Sequence, residues 1–279
     1  MIAIGRFNTL TVVRRRDTDV YLQGDEGQEI ELIAGKQLHT PIDTGSKLDV
    51  FVYSDGSGKL WATQDKPYAE VDEVAFLKVV SVSHAGAFLD WGMPKDLLVP
   101  FSEQKVPMHA GRSYLVRLFL DENNRIAASM MLDDFLQDEA VYYKEGQKVE
   151  IIVAEPTDLG FKVVVDNQYW GILYKGEIFQ PLTRGQKLTA FVKKLRTDYR
   201  LDLILDNQNY GVKRDKTTED ILEELERHGG YLALTDKSAP EQIYRQFGIS
   251  KKIFKQAIGS LYKQRKILIE ENGIRIVKD

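Results

Sequence analysis

The sequence predicts a multidomain, mainly β protein: three small five-stranded barrels followed by a C-terminal α+β domain. Two observations carry this prediction. A Pro-x-x-x-Gly motif followed by alternating apolar residues recurs three times in the first two hundred residues. The last forty residues then show two amphipathic helical patterns and a hairpin signal at Asn272-Gly273.

The repeat is marked by three prolines, each followed four positions later by a glycine. These pairs are Pro41/Gly45, Pro107/Gly111 and Pro181/Gly185. Alternate residues after each glycine are mostly apolar, which indicates a strand with one buried face. A polar turn follows, and a basic residue then opens the returning strand: Lys59, Arg125 and Arg200. Each copy offers about five short strands, which suits a small Greek-key barrel of OB type.

We expect the barrels to span residues 1–67, 68–138 and 139–212, and the last domain to span 213–279. Their net charges are −2, −5, 0 and +3, counted from the basic and acidic residues of each segment. A polyanion should therefore meet the C-terminal half first. Residues 133–143 are expected to form a short helix between the second and third barrels.

The C-terminal domain opens with a helix after Thr218. Ser238 and Glu241 then have the spacing of a capping box for a second helix, which Gly248 should end. Ser250 is expected to cap a third helix. The buried positions predicted for this third helix are Phe254, Ala257, Ile258 and Leu261. Two helices joined by a short turn and followed by a hairpin form a winged helix-turn-helix.

Between Gln242 and Ile269 the sequence has seven basic residues and no acidic one. A lysine-rich helix can simply be a solvated surface. In a chain with more acids than bases, however, this pattern favours contact with phosphates. The candidate phosphate-binding residues here are Lys251, Lys252, Lys255, Lys263, Arg265, Lys266 and Arg275.

The third barrel combines rings that could stack on bases with cations that could attract a nucleic-acid backbone. The candidates are Phe161, Tyr169, Tyr174, Lys193, Lys194, Arg196 and Arg200. Trp170 is a further aromatic residue of this barrel. For each ring the alternative, burial in the barrel core, stays open.

The barrel units resemble the S1-type RNA-binding OB domain. The second copy carries Gly86-Ala87-Phe88-Leu89, Leu98-Val99-Pro100-Phe101-Ser102, and Arg125 followed by Ser129. Three such barrels and a winged helix resemble the CvfB/YitL family of bacterial RNA-binding regulators over essentially the whole chain. The resemblance is strongest from residue 155 onward and weakest in the first barrel. It implies a regulatory role in gene expression and a link to virulence.

The S1 pattern also has a histidine and a phenylalanine on its RNA-facing surface. The matching residues here are Ala34, Pro100 and Tyr174 for the histidine, and Tyr21, Phe88 and Phe161 for the phenylalanine. Only the third copy keeps a ring at the histidine position. We therefore expect the third barrel, rather than the first two, to bind RNA.

Other kinds of chemistry have little support in the sequence. The chain has no cysteine, its four histidines lack a paired ligand spacing, and it shows no phosphate-binding glycine loop. We expect neither enzymatic activity nor a cofactor or metal. The amino terminus lacks signal-peptide features and no apolar run approaches ~20 residues. We therefore expect a cytoplasmic protein without a membrane span.

The leading hypothesis is a non-catalytic protein that binds single-stranded RNA through the third barrel and the winged helix and regulates gene expression post-transcriptionally. One alternative is a DNA-binding transcription factor that reads the major groove with the helix after Ser250, with Gln256 as its candidate base contact. Another is a protein-interaction scaffold whose acidic first two barrels dock a partner. The oligomeric state stays open.

Overall fold

The computed structural model describes residues 2–16, 19–24, 27–33, 43–55, 57–178, 181–205, 212–249 and 251–277, and gives only the backbone of residues 177, 212–216 and 252. The chain divides into two compact units. The first unit comprises residues 1–137 with 166–169, and the second comprises residues 138–165 with 170–279.

Three copies of one five-stranded arrangement follow each other along the chain. The first copy is a closed barrel of β1 (Arg6–Arg16), β2 (Asp19–Gln23), β3 (Glu29–Leu32), β4 (Lys47–Ser54) and β5 (Leu60–Thr63), in the order β1-β2-β3-β5-β4. The second is a nearly closed sheet of β6 (Val74–Ser83), β7 (Gly86–Asp90), β8 (Leu97–Pro100), β9 (Ser113–Leu120) and β10 (Ile126–Ser129). The third is a closed barrel of β11 (Lys148–Pro156), β12 (Gly160–Val165), β13 (Tyr169–Tyr174), β14 (Lys187–Leu195) and β15 (Leu201–Ile204). The prediction of three five-stranded OB-type barrels is confirmed.

Backbone hydrogen bonds repeat with the motif. The amides of Gly45, Gly111 and Gly185 each donate to the carbonyl of a valine on the first strand of their barrel, over 2.8 Å in all three copies. Those valines are Val12, Val79 and Val153. A β-bulge follows the same valine each time. The glycines have φ angles between 82° and 92°, a left-handed conformation that favours glycine. Pro41, the proline of the first motif, lies outside the described residues.

The bulge twists the first strand so that one sheet can curl into a barrel. Alternate residues then point inward, and those of the first barrel form a compact aliphatic core. This core consists of Leu10, Val12, Val20, Leu22, Ile30, Leu32, Val50, Val52 and Ala62. The outward-facing side chains of the same strands do not belong to this core and can contact a ligand.

The last domain is a winged helix, as predicted. It contains α1 (Val212–Arg227), β16 (Tyr231–Leu232), α2 (Pro240–Phe247), α3 (Lys251–Lys263), β17 (Ile267–Ile269) and β18 (Ile274–Ile276), with sheet order β16-β18-β17. The buried positions predicted for α3 are confirmed, since all four are at most 1% exposed. They pack with Ile221, Leu225, Ile243 and Ile267.

Two local predictions about this domain have different outcomes. Gly248 ends α2 with a φ of 65°, and its amide donates to the carbonyl of Tyr244, as expected for a glycine C-cap. The capping box is wrong, because α2 starts after Ala239 with no side-chain cap. The Ser238 hydroxyl instead accepts the amide of Thr235 over 2.8 Å and closes the preceding turn. Ser250 lies outside the described residues.

The predicted helix at 133–143 is also wrong. Only a single 3-10 turn forms, at Leu132–Asp134. The amide of Gln137 donates to the carbonyl of Gln168, and that of Ala140 donates to the carbonyl of Tyr199. Amides used by distant carbonyls cannot form the i to i−4 bonds of a helix.

Candidate nucleic-acid interface

Tyr174, at the end of β13, lies in a polar cluster of the third barrel. Its hydroxyl donates to a carboxylate oxygen of Asp202 over 3.2 Å and accepts from Arg196 Nη2. Arg196 Nε also donates to Asp202, over 2.8 Å. Burial alone would lower the pKa of Arg196, but the charge of Asp202 and the hydrogen bonds raise it. These contacts fix the half-buried Tyr174 ring.

The other predicted cations of this barrel are exposed. Arg200 makes an ion pair with Asp138 over 3.3 Å and approaches Asp198 at 3.9 Å. Lys193 and Lys194 are exposed on β14. Lys194 lies opposite Asp202 in the β14–β15 ladder, beside the Tyr174 cluster. Charges of both signs therefore surround this ring.

The remaining rings of the third barrel are less accessible than the sequence pattern suggests. Trp170 is 8% exposed and belongs to the buried residues, so the core alternative holds for it. Lys162 Nζ lies 3.7 Å from the centre of the Trp170 ring. Phe161 and Tyr169 are half-buried. Tyr174 is thus one of several partly accessible rings in the described part of this barrel.

The strand register changes the expected alignment of the three copies. In the first two barrels, the first pair of residues after the bulge of the first strand is Arg14 with Tyr21 and Ser81 with Phe88. The residue at that place in the third barrel is Lys162, opposite Glu155. The alignment with Phe161 was therefore wrong by one residue. A one-residue shift sends a side chain to the other face of the sheet.

The histidine position also shifts in the first barrel. Leu32 pairs with Val20, as Val99 pairs with Ala87. The next residue, Ile33, therefore matches Pro100. Ile33 is 37% exposed. Ala34, which the sequence pattern placed there, lies outside the described residues.

The outer face of α3 carries the main group of cations in the winged helix. Its exposed residues are Lys255, Gln256, Tyr262 and Lys263, and Arg265 and Lys266 are exposed just beyond the helix. Lys251 is half-buried, and only the backbone of Lys252 is described. Lys255 Nζ lies 3.5 Å from a carboxylate oxygen of Asp236. We call this exposed surface the α3 face.

Arg275, like Lys255, already faces a carboxylate, but its contact is closer and involves two hydrogen bonds. Its guanidinium donates to both carboxylate oxygens of Glu270, over 2.6 Å and 3.5 Å. It also lies 4.9 Å from the centre of the Tyr231 ring. The hydrogen bond to Glu270 raises the pKa of Arg275. A phosphate would have to displace Glu270 to reach it.

Sequence reasoning missed a paired arrangement on the first barrel. The Arg14 guanidinium lies 3.9 Å from the centre of the Tyr21 ring, and Lys59 Nζ lies 3.6 Å from the centre of the Trp61 ring. Arg14 also pairs with Glu29 over 3.1 Å, and Lys59 with Glu31 over 3.0 Å. Neither contact could be read from the sequence, because the residues that face each other across strands depend on the register.

The described residues contain no group of three or more metal-ligating side chains. No helix in the described part is long and apolar enough to cross a membrane.

Comparison with known proteins identifies the domains. Residues 219–276 match the model of the CvfB-like winged helix domain, and residues 4–65 match that of the S1 domain. The S1 model thus matches the first barrel, although its motifs are the most divergent.

Similar proteins cover nearly the whole chain. Conserved virulence factor B of Staphylococcus haemolyticus JCSC1435 is 27% identical over 288 residues, covering 99% of this chain and 95% of the relative. The Staphylococcus aureus N315 protein of the same name is 27% identical over 290 residues, covering 99% and 94%. A crystal structure of a multidomain protein with nucleic acid binding domains from Streptococcus pneumoniae TIGR4 is 26% identical, with a TM-score of 0.41 and 98% of each chain covered. The chain therefore has one region that matches the S1 domain and one that matches the CvfB-like winged helix domain, and it is similar along almost its whole length to the proteins named conserved virulence factor B.

Proposed function

We propose that this chain is a non-catalytic, cytoplasmic RNA-binding protein that regulates gene expression after transcription. Its ligand is single-stranded RNA. The third barrel and the winged helix each contribute a surface, the barrel with Tyr174 and the winged helix with the α3 face.

The α3 face is the observation that carries this proposal. Lys255 and Lys263 lie on it in an exposed position, within a stretch of 28 residues without a carboxylate side chain. Each phosphate that such a cation neutralises releases condensed counterions, which is a large part of nucleic-acid affinity. An S1 domain and a winged helix in one chain support the same ligand class.

Tyr174 supports single-stranded RNA over a duplex. Stacking of an unpaired base on an aromatic ring contributes about 1–3 kcal/mol and is open to any base. Asp202 and Arg196 hold the Tyr174 ring in place before the ligand arrives. A ring fixed in this way loses little conformational entropy on binding.

Duplex DNA is the second candidate ligand, because Gln256 is exposed on α3 beside Lys255. Glutamine can make paired hydrogen bonds to adenine in the major groove. A winged helix would place α3 in that groove. The two ligands predict different roles for Tyr174.

Fluorescence anisotropy of the full chain with labelled single-stranded RNA, single-stranded DNA and duplex DNA at two salt concentrations tests the proposal. The double substitution Lys255→Ala/Lys263→Ala should weaken RNA binding and lower the salt slope by about 1.4, since each phosphate contact on a single strand contributes about 0.7. Tyr174→Ala should weaken RNA binding about tenfold without changing the salt slope.

Two controls separate these effects from general damage. Tyr174→Phe keeps the ring and should bind more tightly than Tyr174→Ala. Lys237→Ala removes an exposed lysine outside α3 and should change the affinity little. Tighter binding to duplex DNA that is insensitive to Tyr174→Ala would favour the transcription-factor alternative. No binding to any of the three would refute nucleic-acid binding.

A further inference from the structure

A glycine lies at the centre of the α3 face. Gly259 follows Lys255 by four residues and precedes Lys263 by four, so the three side-chain positions lie along one side of the helix. Gln256 and Tyr262 flank Gly259 at three residues' distance, and Tyr262 is 54% exposed. The two lysines and the side chains of Gln256 and Tyr262 therefore surround a position that has no side chain.

Glycine in a helix interior is unfavourable, because it has more conformational freedom to lose than any other residue. It is commonly retained where the backbone needs a positive φ, where another segment packs closely, or where the helix bends. Gly259 is not among the residues with positive φ, and α3 runs unbroken from Lys251 to Lys263. No described atom, apart from the helix's own nearby backbone, would lie within 4 Å of a β-carbon built at Gly259.

The other glycines of this domain contrast with Gly259. Gly248 has a φ of 65° at the end of α2. At Gly273 a β-carbon would lie 2.4 Å from the carbonyl oxygen of Leu232. At Gly230 it would lie 2.9 Å from the side chain of Ile276. The fold explains these three glycines, but it leaves Gly259 without an internal reason.

We propose that Gly259 is the point at which bound RNA comes closest to α3. The missing side chain exposes the helix backbone between Lys255 and Lys263. A sugar-phosphate strand can therefore enter between the two ammonium groups without meeting a β-carbon. Tyr262 lies one turn further along, where it can contact the adjoining sugar or base. This inference rests on the proposed RNA-binding function and adds a positioning residue to it.

Stability and affinity should consequently change in opposite directions at this position. Gly259→Ala improves helix propensity and meets no neighbour, so it should raise the Tm by about 2–4 °C. The same methyl group should weaken RNA binding severalfold, and Gly259→Leu should weaken it about tenfold or more because its side chain fills the space between the lysines. A purely structural role would move both quantities in the same direction.

The test measures RNA affinity by fluorescence anisotropy and Tm by circular dichroism on the full chain. Gln242→Leu, which adds a comparable apolar side chain to an exposed position of α2, is the matched control. A stabilised Gly259→Ala with weakened binding, beside an unchanged Gln242→Leu, would support the inference. Wild-type affinity in both Gly259 variants would overturn it and leave RNA binding intact. A wild-type chain that binds no RNA would overturn the proposed function and this inference together.

Discussion

Asp55 organises the turn that presents Trp61 on the first barrel. One carboxylate oxygen accepts the amide and hydroxyl of Ser57 and the amide of Lys59, and the other accepts the indole N–H of Trp61. Hydrogen bonds from Ser57 and Trp61 hold the pKa of Asp55 well below its usual range. The charged carboxylate is thus favoured by the folded state.

A carboxylate with a depressed folded pKa stabilises the fold above its unfolded pKa, about 3.9, and this contribution falls as the pH drops below that value. We expect Asp55→Asn to lower the Tm at pH 7 and the difference from wild type to shrink near pH 3. Thermal unfolding at both pH values, followed by tryptophan fluorescence, measures this. Asp43→Asn removes an exposed carboxylate of the same barrel as a control. An equal difference at both pH values would contradict the role given to the Asp55 charge.

The turn position that Asp55 occupies carries different charges in the three barrels. The amide of Asp55 donates to the carbonyl of Lys59, and the equivalent bonds run from Asp121 to Arg125 and from Arg196 to Arg200. Two barrels therefore use an aspartate that accepts amides of its own turn. The third uses an arginine that reaches Tyr174. One substitution in the repeat thus converts a turn-forming residue into one that positions a ring.

At the scale of elements, a glycine begins the second strand of two barrels. Gly86 begins β7 in the second barrel, and Gly160 begins β12 in the third. A β-carbon at Gly86 would lie 2.2 Å from the carbonyl oxygen of Val99, and one at Gly160 would lie 1.8 Å from that of Leu173. Neighbouring backbones come this close only where no side chain intervenes. These glycines allow the third strand to cross beside the second.

Gly160→Ala should therefore destabilise the third barrel by roughly 1–3 kcal/mol, the usual cost of forcing atoms into a filled space. Urea unfolding followed by fluorescence would measure this, with Trp170 as the reporter within that barrel. Gly176→Ala is the matched control, because no described atom lies within 4 Å of a β-carbon there and its φ is not positive. Equal stabilities of the two variants would show that the strands can separate to admit the methyl group.

The sequence predicted the elements better than their pairings. Alternation and the Pro-x-x-x-Gly motif indicated the strands, because burial of one face imposes a period of two on the residues themselves. Matching rings by residue type did not establish the register of β12, so Phe161 was aligned with Phe88 although Lys162 lies at that place. Ser238 had the spacing of a helix cap, but the same hydroxyl satisfies the amide of Thr235. A local motif shows that a side chain can form a hydrogen bond, but it does not show which nearby backbone group will be its partner.

The candidate site could likewise be predicted only in part from the sequence. Residue type indicated the cations of α3 and the ring of Tyr174. It could not indicate that Glu270 neutralises Arg275 or that Trp170 is buried, since both depend on how strands meet. Gly259 carries no chemistry of its own, and it became informative only when its surroundings were known.

At the scale of the whole molecule, charge and ring accessibility separate the first barrel from the third. Residues 1–67 have a net charge of −2 and residues 68–138 one of −5, whereas the third barrel (139–212) carries 0 and residues 213–279 carry +3. In the first barrel, Glu29 and Glu31 pair with the cations that lie over Tyr21 and Trp61. Lys59 already lies over the Trp61 ring, so a base that stacks on this face has to displace it.

We therefore expect Trp61→Ala to leave RNA affinity within about twofold of wild type, while Tyr174→Ala weakens it about tenfold, the effect of losing one stacked base. Anisotropy with one labelled single-stranded RNA, at one salt concentration, compares the two full-length variants. Circular dichroism of each variant checks that the fold is retained. Equal losses would mean that the first barrel, which matches the S1 model, also holds the ligand. In that case Glu31→Gln, which frees Lys59, should strengthen binding, because the carboxylate competes with phosphate for the same ammonium group.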